Sequence, residues 1–530
     1  MAEVLNSTIS QQFFGGSTDH PSLLIQAGSW AKQNLSPWSV FLTTILATII
    51  YDQVSYIRNK GSIAGPKFKV WPIIGPFMES VDPKFSQYQA KWASGPLSCV
   101  SVFHKFVVIA ASRDFARKAM TSPMYARPCV VDIAIKLLRP TNWVFMDGKA
   151  HHDYRRSLVG LFTKKAMAMY IPRFDVAYDE YLDRWVEMSK DGPIPFMPEF
   201  REINCCTSLR AFCGDYITRE EIKIIADNYY RISKALQLVN FPYIIPFTKT
   251  WYGKKITDMT MDIFARCAAD SKKHIANGGK VTCTMDAWIK SMQDSRNTSK
   301  DDQDETQRFL VRDFSNKEIS ETIFTFLFAS QDATSSATTW LFQIIADRPD
   351  IMQKIREEQL RVRHGDLTKP LDIETIESME YTYMVVKEAL RYRPPVTMVP
   401  YQVKKDFPIT PEYTIPKGSM VVPTIYPSTH DPEVYENPDE FIPERWVPGS
   451  KASNAHKNWI VFGTGAHNCL GQHYVMLHLT GMMGKAALFY DWKHKVTETS
   501  EDIRVFCTIF PDDSCILKFS KRSESEIMAS

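Results

Sequence analysis

The first strong hydrophobic pattern in this sequence lies near the N-terminus, where the stretch 33–51 carries no formal charge. About twenty mostly apolar residues are enough to span a bilayer as a helix. The apolar run starts late and lacks the small-residue cleavage site that ends a secretory signal peptide. The pattern therefore predicts an uncleaved transmembrane anchor over residues 32–60.

The charges on either side of this stretch predict its orientation. One basic residue precedes it, and several follow: Lys32 before, then Arg58, Lys60, Lys67 and Lys69. Basic residues are retained on the cytosolic side of a membrane. We therefore expect residues 1–31 to be lumenal and residues 61–530 to be cytosolic. Asn6 would then begin a lumenal Asn-x-Thr glycosylation triplet, whose occupancy stays open.

Helical spacing dominates the pattern from about residue 112 to 400. Before it, residues 97–111 alternate as a hairpin that turns at His104 and Lys105. After it, residues 401–450 are expected to form short strands and irregular turns, and Val505 to Phe519 a hairpin. The polar, acidic stretch from 293 to 308 is predicted to be a solvated loop.

One long helix is predicted from Asn316 to Asp347. Ser315 and Glu318 have the spacing of a capping box, in which each side chain accepts the other residue's backbone N–H. Pro349 ends the helix, because proline lacks the N–H that a helix interior needs. At about 1.5 Å per residue, such a helix is long enough to cross a domain.

Composition excludes some classes of function. The chain has 530 residues, of which 44% are hydrophobic, so it can bury a large core. A net charge of +3 gives no argument for nucleic-acid binding. The ten cysteines are irregularly spaced without a Cys-x-x-Cys pair, which favours a reducing, cytosol-facing domain over a disulfide framework.

The stretch from Phe462 to Gly471, FGTGAHNCLG, carries the strongest chemical signal. Its glycines permit close backbone approach and unusual φ angles. The loop N–H groups and the start of a following helix favour an anion at Cys469. A thiolate at this position could ligate haem iron. A buried, inert cysteine beside a turn is the alternative.

The spacing of this loop matches the pattern Phe-Gly-x-Gly-x-(Arg/His)-x-Cys-x-Gly, and the sequence therefore resembles the cytochrome P-450 superfamily. The resemblance implies a mainly α protein with small β-sheets, in the cytochrome P-450 fold, behind the N-terminal transmembrane helix. It implies heme b with its iron ligated by Cys469, and electrons from NADPH through an NADPH-cytochrome P-450 reductase. The loop residues that the resemblance assigns to haem binding are Phe462, Gly463, His467, Cys469 and Gly471.

Glu388 and Arg391 are three residues apart on a predicted helix, so both charges lie on one helical face. A surface ion pair is one interpretation. The resemblance implies instead a structural, buried network with Arg445 that locks the irregular segment beneath the haem.

Further residues are implied as partners of the haem carboxylates. Arg155 keeps the family's cationic position, whereas His151 stands where the family has a tryptophan. An imidazole can still donate a hydrogen bond. His467 and Tyr401 complete the set.

The run Ala329-Ser330-Gln331-Asp332-Ala333-Thr334 corresponds to the family's oxygen-activating segment, with two departures. Ser330 replaces a glycine, and Ala333 replaces the usual threonine. Asp332 is retained and is predicted to relay protons, with Thr334 as the next hydroxyl. Alternatively, Thr334 and Ser335 bond back to helix carbonyls.

This run is similar to that of the sterol C-22 desaturases of fungi and plants. The resemblance implies a monooxygenase-type enzyme of the endoplasmic reticulum membrane that uses NADPH and O2 to introduce the C22–C23 double bond of a sterol in ergosterol biosynthesis. A hydroxylase of another terpenoid or lipid, and a non-catalytic haem-binding membrane protein, stay open as alternatives. The apolar stretch Asn240 to Phe247 either dips into the bilayer as a substrate-entry segment or forms an ordinary buried turn.

Overall fold

The computed structural model describes residues 36–80, 82–103, 105–129, 132–236, 243–297, 313–506 and 508–529. The predicted lumenal segment 1–31 lies outside these residues, as do His104, residues 240–242 and most of the predicted solvated loop. Within the described ranges the architecture is mainly α with small β-sheets, as expected.

Eighteen α-helices are described in these ranges. They are α1 Pro37–Lys60, α2 Phe85–Ala93, α3 Arg113–Met120, α4 Asp132–Leu138, α5 Gly148–Val159, α6 Lys164–Met188, α7 Met197–Cys213, α8 Arg219–Leu236, α9 Lys249–Ala276, α10 Thr284–Asn297, α11 Asn316–Ala346, α12 Pro349–Val362, α13 Ile373–Glu377, α14 Glu380–Tyr392, α15 Tyr426–Thr429, α16 Lys451–Asn454, α17 Gln472–Phe489 and α18 Glu524–Met528.

Twelve short strands accompany the helices in the part of the chain described. They are β1 Leu97–Val102, β2 Lys105–Ala110, β3 Ala126–Pro128, β4 Ile194–Pro195, β5 Tyr401–Val403, β6 Phe407–Pro408, β7 Thr414–Ile415, β8 Met420–Pro423, β9 Tyr490–His494, β10 Ile503–Val505, β11 Ile509–Pro511 and β12 Ile516–Lys521.

The strands form one sheet of five strands and three smaller sheets. The large sheet has the order β1-β2-β8-β5-β3, and its β1–β2 pair is the hairpin predicted from the alternation. The C-terminal prediction was partly wrong. A hairpin does join β10 to β11, but β12 pairs with β9 and β4 instead of extending it.

Helix α1 has the length and composition of a membrane span. It contains 24 residues, an 18-residue window of which has a mean hydropathy of 1.5, and most of its apolar side chains are exposed. Contacts along the chain divide it into two compact units, which meet in sequence between Tyr56 and Ile57.

Helix α11 runs through the main core from Asn316 to Ala346, close to the predicted bounds. The capping box is confirmed: the backbone N–H of Glu318 donates to Ser315 Oγ at 3.2 Å, and the backbone N–H of Ser315 donates to Glu318 Oε2 at 2.9 Å. Most α11 side chains are buried against a large cluster of aromatic and aliphatic residues.

The ion pair on α14 is buried, not exposed. Glu388 and Arg391 are both 0% exposed, and two guanidinium nitrogens of Arg391 donate to the carboxylate at 2.8 and 2.9 Å. Arg445 adds a third charge-assisted bond at 2.9 Å, and the indole of Trp446 donates to the same carboxylate at 3.0 Å. The network therefore joins α14 to the short helical turn Pro443–Trp446.

This network connects to the cysteine loop through aromatic rings that pack edge to face. The ring centroids of Trp446 and Trp459 are 6.0 Å apart, and those of Trp459 and Phe462 are 5.5 Å apart. The Phe462 carbonyl then accepts the backbone N–H of Cys469 at 2.8 Å. Aromatic packing at these separations is stabilising, so the buried charges and the loop are parts of one packed region.

We predict that Glu388→Gln destabilises the fold by about 3–5 kcal/mol, because it leaves two buried arginines without a compensating negative charge. The measurement is the free energy of unfolding in urea. Lys354→Ala is the control, since it breaks an exposed ion pair with Glu444, which is worth at most about 1 kcal/mol. Equal losses in the two variants would contradict the prediction.

Candidate functional site

The cysteine loop owes its shape to two glycines with positive φ. Gly463 has φ 70° and Gly465 has φ 81°, a region that other residues rarely adopt. A Cβ atom at Gly465 would lie 2.8 Å from the carbonyl oxygen of Met120, at the end of α3. Gly465 is therefore required both by its φ and by the close approach of α3. Gly471 has an ordinary φ of −89° and begins α17.

Cys469 is exposed at the surface of its loop. The residue has exposed surface, yet protein surrounds it closely enough that burial raises the pKa of its thiol above the ordinary value. A hydrogen bond from the backbone of Gly471 and the charge of Arg155 lower this pKa in part. Both favour the thiolate, which is the form that binds metal.

The predicted carboxylate partners lie together beside this loop. The rings of His151 and His467 stack with their centroids 4.0 Å apart. Arg155 donates from Nη2 to both the carbonyl and the side-chain oxygen of Asn468, each at 2.8 Å. The guanidinium thus holds Asn468, the residue next to Cys469, in place. Its contact with a haem carboxylate stays a prediction.

Charge and burial keep the two imidazoles neutral. Burial is the main cause that lowers the pKa of His151 to about 4, and the nearby His467 and Arg155 lower it further. Burial also lowers the pKa of His467. Tyr401 is buried in β5, and burial raises its pKa to about 12. Each of these side chains can therefore donate a hydrogen bond near neutral pH.

Helix α11 is open at the predicted oxygen-activating run. Ala329 is exposed and Ala333 is half-exposed, although most residues before and after them on the helix are buried. The two alanines are four residues apart and share one helical face. Small side chains on an open face leave room for a large group beside the helix.

Ser330, in the same run, is linked to the start of α17 through α7. Ser208 on α7 is 3.2 Å from the hydroxyl of Ser330 and 3.5 Å from that of Tyr474, measured between side-chain oxygens. Tyr474 follows Cys469 closely in sequence, in the first turns of α17. The residues therefore fit a haem: an exposed cysteine in a glycine-shaped loop, a small-residue face on α11, and neutral and cationic donors beside the loop.

Two side chains from other helices hold the Asp332 carboxylate. Arg201 on α7 donates to its Oδ1 at 2.6 Å, and Ser233 on α8 donates to its Oδ2 at 2.7 Å. The Asp332 and Arg201 side chains are only 9% and 10% exposed. Sequence reasoning missed Arg201 and Ser233, and no local motif marks either of them.

The hydroxyls of Ser335 and Thr334 differ in their hydrogen bonds. Ser335 donates to the carbonyl of Gln331 at 2.5 Å, which is the helix bond weighed as the alternative role. Thr334 is buried, and its Oγ1 has no hydrogen-bond partner among the described residues. A relay role for Thr334 stays a prediction.

The apolar segment after α8 is exposed in its described part. Tyr243 is 62% exposed and Phe247 is 78% exposed. This exposure disfavours the buried-turn alternative. Residues 240–242 of the predicted segment lie outside the described residues.

Comparison with known proteins shows the family of the chain. The family model for cytochrome P450 matches residues 65–512. The C-22 sterol desaturase ERG5 of Saccharomyces cerevisiae is 59% identical over 98% of this chain and 96% of its own length. The cytochrome P450 monooxygenase oblE of Emericella variicolor is 52% identical over 94% of this chain and 96% of its own length.

A solved structure shares the fold. A retinoic acid-bound cyanobacterial CYP120A1 superposes with a TM-score of 0.73 at 19% identity, covering 85% of this chain and 98% of that one. At this identity the likeness concerns the fold alone.

We predict that Gly465→Ala lowers the thermal unfolding midpoint more than Gly418→Ala does. Both glycines have similar positive φ, 81° and 85°, but a Cβ at Gly418 meets nothing within 4 Å. The φ strain costs roughly 1–2 kcal/mol in either variant, and the overlap with α3 adds about 1–3 kcal/mol in the first. Equal shifts in the two midpoints would show that the α3 contact is unimportant.

Proposed function

This chain belongs to the cytochrome P450 family, and we propose that it is a membrane-anchored sterol C-22 desaturase. It removes two hydrogens from the side chain of a sterol and forms the C22–C23 double bond in ergosterol biosynthesis, using NADPH and O2. The observation that carries the proposal is the 59% identity to a curated C-22 sterol desaturase along nearly the whole of both chains.

The cofactor is haem bound by a thiolate, and it would supply the activation of dioxygen with electrons from NADPH through a reductase. Cys469 supplies the thiolate, and the backbone hydrogen bond from Gly471 stabilises its negative charge. Phe462 and Gly463 shape the loop against the macrocycle. His151, His467 and Arg155 lie beside the loop, where their donors can bind the haem carboxylates.

Asp332 is the acidic side chain in the segment that corresponds to the family's oxygen-activating run. It is buried on α11, within one turn of the open alanine face. Its role is to pass protons toward that face. Proton transfer by a positioned carboxylate can accelerate a reaction by about 10²–10⁴-fold. Thr334 is the next hydroxyl along the helix. Because the side chains of Ala329 and Ala333 are small, the face has room for a large apolar substrate.

The sterol arrives from a membrane, which we propose is that of the endoplasmic reticulum. Helix α1 is the single-pass anchor, and the basic residues at its end, Arg58 and Lys60, place the catalytic unit in the cytosol. NADPH-cytochrome P-450 reductase supplies the electrons. The exposed apolar segment Tyr243 to Phe247 is suited to contact with lipid.

One observation supports a second candidate. The relative from Emericella variicolor is 52% identical and is named a monooxygenase, not a desaturase. Hydroxylation of another terpenoid or lipid is therefore the alternative outcome. The same site would serve, because both reactions begin by removing hydrogen from an unactivated carbon.

We predict that the enzyme, reconstituted with reductase and NADPH, converts a sterol with a saturated ergosta-type side chain to its C22–C23 alkene. Mass spectrometry of the product provides the measurement. Cys469→Ala should abolish both the product and the thiolate-type ferrous–CO band. An exclusive alcohol product would favour the second candidate, and a retained band would refute Cys469 as the ligand.

We also predict that Asp332→Asn lowers the product formed per NADPH by about tenfold or more, because the amide cannot relay protons as the carboxylate does. The sterol-induced spectral change should be unaffected. Asp286→Asn is the matched control, since Asp286 is also buried and hydrogen-bonded to a serine, Ser271 at 2.6 Å. If both variants keep normal coupling, Asp332 is not a relay.

A further inference from the structure

Two chains of side-chain hydrogen bonds connect α17 to α11, and both pass through α7. The first bridge runs through Tyr474, Ser208 and Ser330. The second bridge runs through His478, Asn204 and Thr338. Their members are far apart in the chain, and no local motif marks them.

The donors and acceptors of the second bridge follow one direction. His478 Nε2 is 2.8 Å from Asn204 Oδ1, and Asn204 Nδ2 donates to Thr338 Oγ1 at 3.2 Å. The amide oxygen of Asn204 can only accept, so His478 Nε2 carries the proton. His478 Nδ1 then accepts from the Tyr178 hydroxyl at 2.8 Å. Thr338 donates in turn to the carbonyl of Thr334 at 2.9 Å.

The second bridge lies deep in the core. His478, Asn204 and Thr338 are each at most 1% exposed. Burial lowers the pKa of His478 to about 3, so the imidazole is neutral near neutral pH and offers one donor and one acceptor. A bond lost at this depth is not replaced by one to bulk water, so a shift of either helix would leave a buried polar group unsatisfied.

The first bridge is weaker. Ser330 donates to the carbonyl of Leu327 at 3.2 Å, so it accepts from Ser208, whose hydroxyl oxygen is 3.2 Å away. The Tyr474 hydroxyl is 3.5 Å from Ser208, which is long for an O–H···O bond. Ser330 stands where the family has a glycine, and a glycine could not form this bridge.

The two bridges attach each helix at two points. On α7 and on α17 the bridging residues are four positions apart, which puts each pair on one helical face. On α11 they are eight positions apart, which is about 12 Å along the axis. Two attachment points fix the rotation of a helix as well as its distance, and buried polar networks specify one arrangement more strictly than apolar packing does.

The helices joined in this way carry the two sides of the haem site. Helix α17 begins three residues after Cys469, and Ala333 lies on α11 between the bridging residues Ser330 and Thr338. A haem ligated by Cys469 must fit between the thiolate and the open alanine face. The separation of α17 and α11 therefore decides how closely the site fits the macrocycle.

We propose that Asn204 and His478, with Ser208 and Tyr474, are positioning residues for the haem: the bridges through α7 set the separation of α17 from α11. The inference rests on the proposed function only in requiring a haem bound by Cys469. It is independent of whether the product is an alkene or an alcohol.

The test uses paired substitutions that remove both partners of a bond. His478→Phe combined with Asn204→Leu replaces the second bridge by apolar side chains, an exchange that can be nearly neutral for stability. Tyr178 keeps its bond to the carbonyl of residue 478 at 3.1 Å. We expect a thermal unfolding midpoint close to that of the wild type. Haem should nevertheless transfer to excess apomyoglobin about tenfold faster, the factor that corresponds to the net contribution of about one hydrogen bond.

The first bridge gives a graded comparison. Ser208→Ala combined with Tyr474→Phe removes the longer bond, so we expect a smaller increase in the rate of haem transfer. In both paired variants the ferrous–CO band should broaden, because the haem site is less strictly defined. A larger effect from the first bridge than from the second would contradict the proposal.

Tyr490→Phe is the control. Tyr490 is 2% exposed, and its hydroxyl donates to Asp183 Oδ1 at 2.7 Å, which joins β9 to α6 and not α17 to α11. If haem leaves the His478/Asn204 variant no faster than it leaves this control, the second bridge is merely structural and the proposal is overturned, whatever happens to the unfolding midpoint. Faster loss than in the control supports it. Neither result depends on the sterol product, so the proposed reaction is tested separately.

Discussion

The buried carboxylate of Glu388 is the constraint on which the rest of the site depends. A charge with no exposure is tolerated only when its hydrogen-bonding positions are filled. Here the donors come from two places: Arg391 on the same helix, and Arg445 and Trp446 in a turn more than fifty residues later. The carboxylate can be satisfied only if that turn packs against α14, so desolvation fixes the position of the segment that leads to the cysteine loop.

Side-chain packing then links this turn to Cys469. Trp446 contacts Trp459, Trp459 contacts Phe462, and the Phe462 carbonyl holds the backbone N–H of Cys469. Lys387, next to Glu388 in sequence, lies 4.2 Å from the Trp446 ring centroid and 5.1 Å from that of Trp459. A cation over two indoles strengthens this packing. The position of Cys469 is thus set by packed groups at a distance from its sulfur.

Features with a short-range physical cause could be predicted from the sequence. The capping box of α11 needs only two residues three apart, and the β1–β2 hairpin needs only local alternation. The pairing of β12 with β4 and β9 could not be predicted, because strand partners distant in sequence leave no local signal. For the same reason, the contact of Arg201 with Asp332 could not be predicted: the two residues are 131 positions apart, and no local motif marks Arg201.

The two departures in the distal run have different consequences. Ser330, in place of a glycine, has a structural explanation: its hydroxyl meets Ser208 on α7, and Ser208 is also 3.5 Å from Tyr474. Ala333, in place of an alcohol, removes the hydroxyl from the open face, and the next one, on Thr334, is buried. The side-chain partners of Asp332 therefore come from two helices, Arg201 on α7 and Ser233 on α8, while the open face keeps its alanines. Helix α11 thus presents hydrogen-bonding groups to its neighbours and a small apolar surface on its open face.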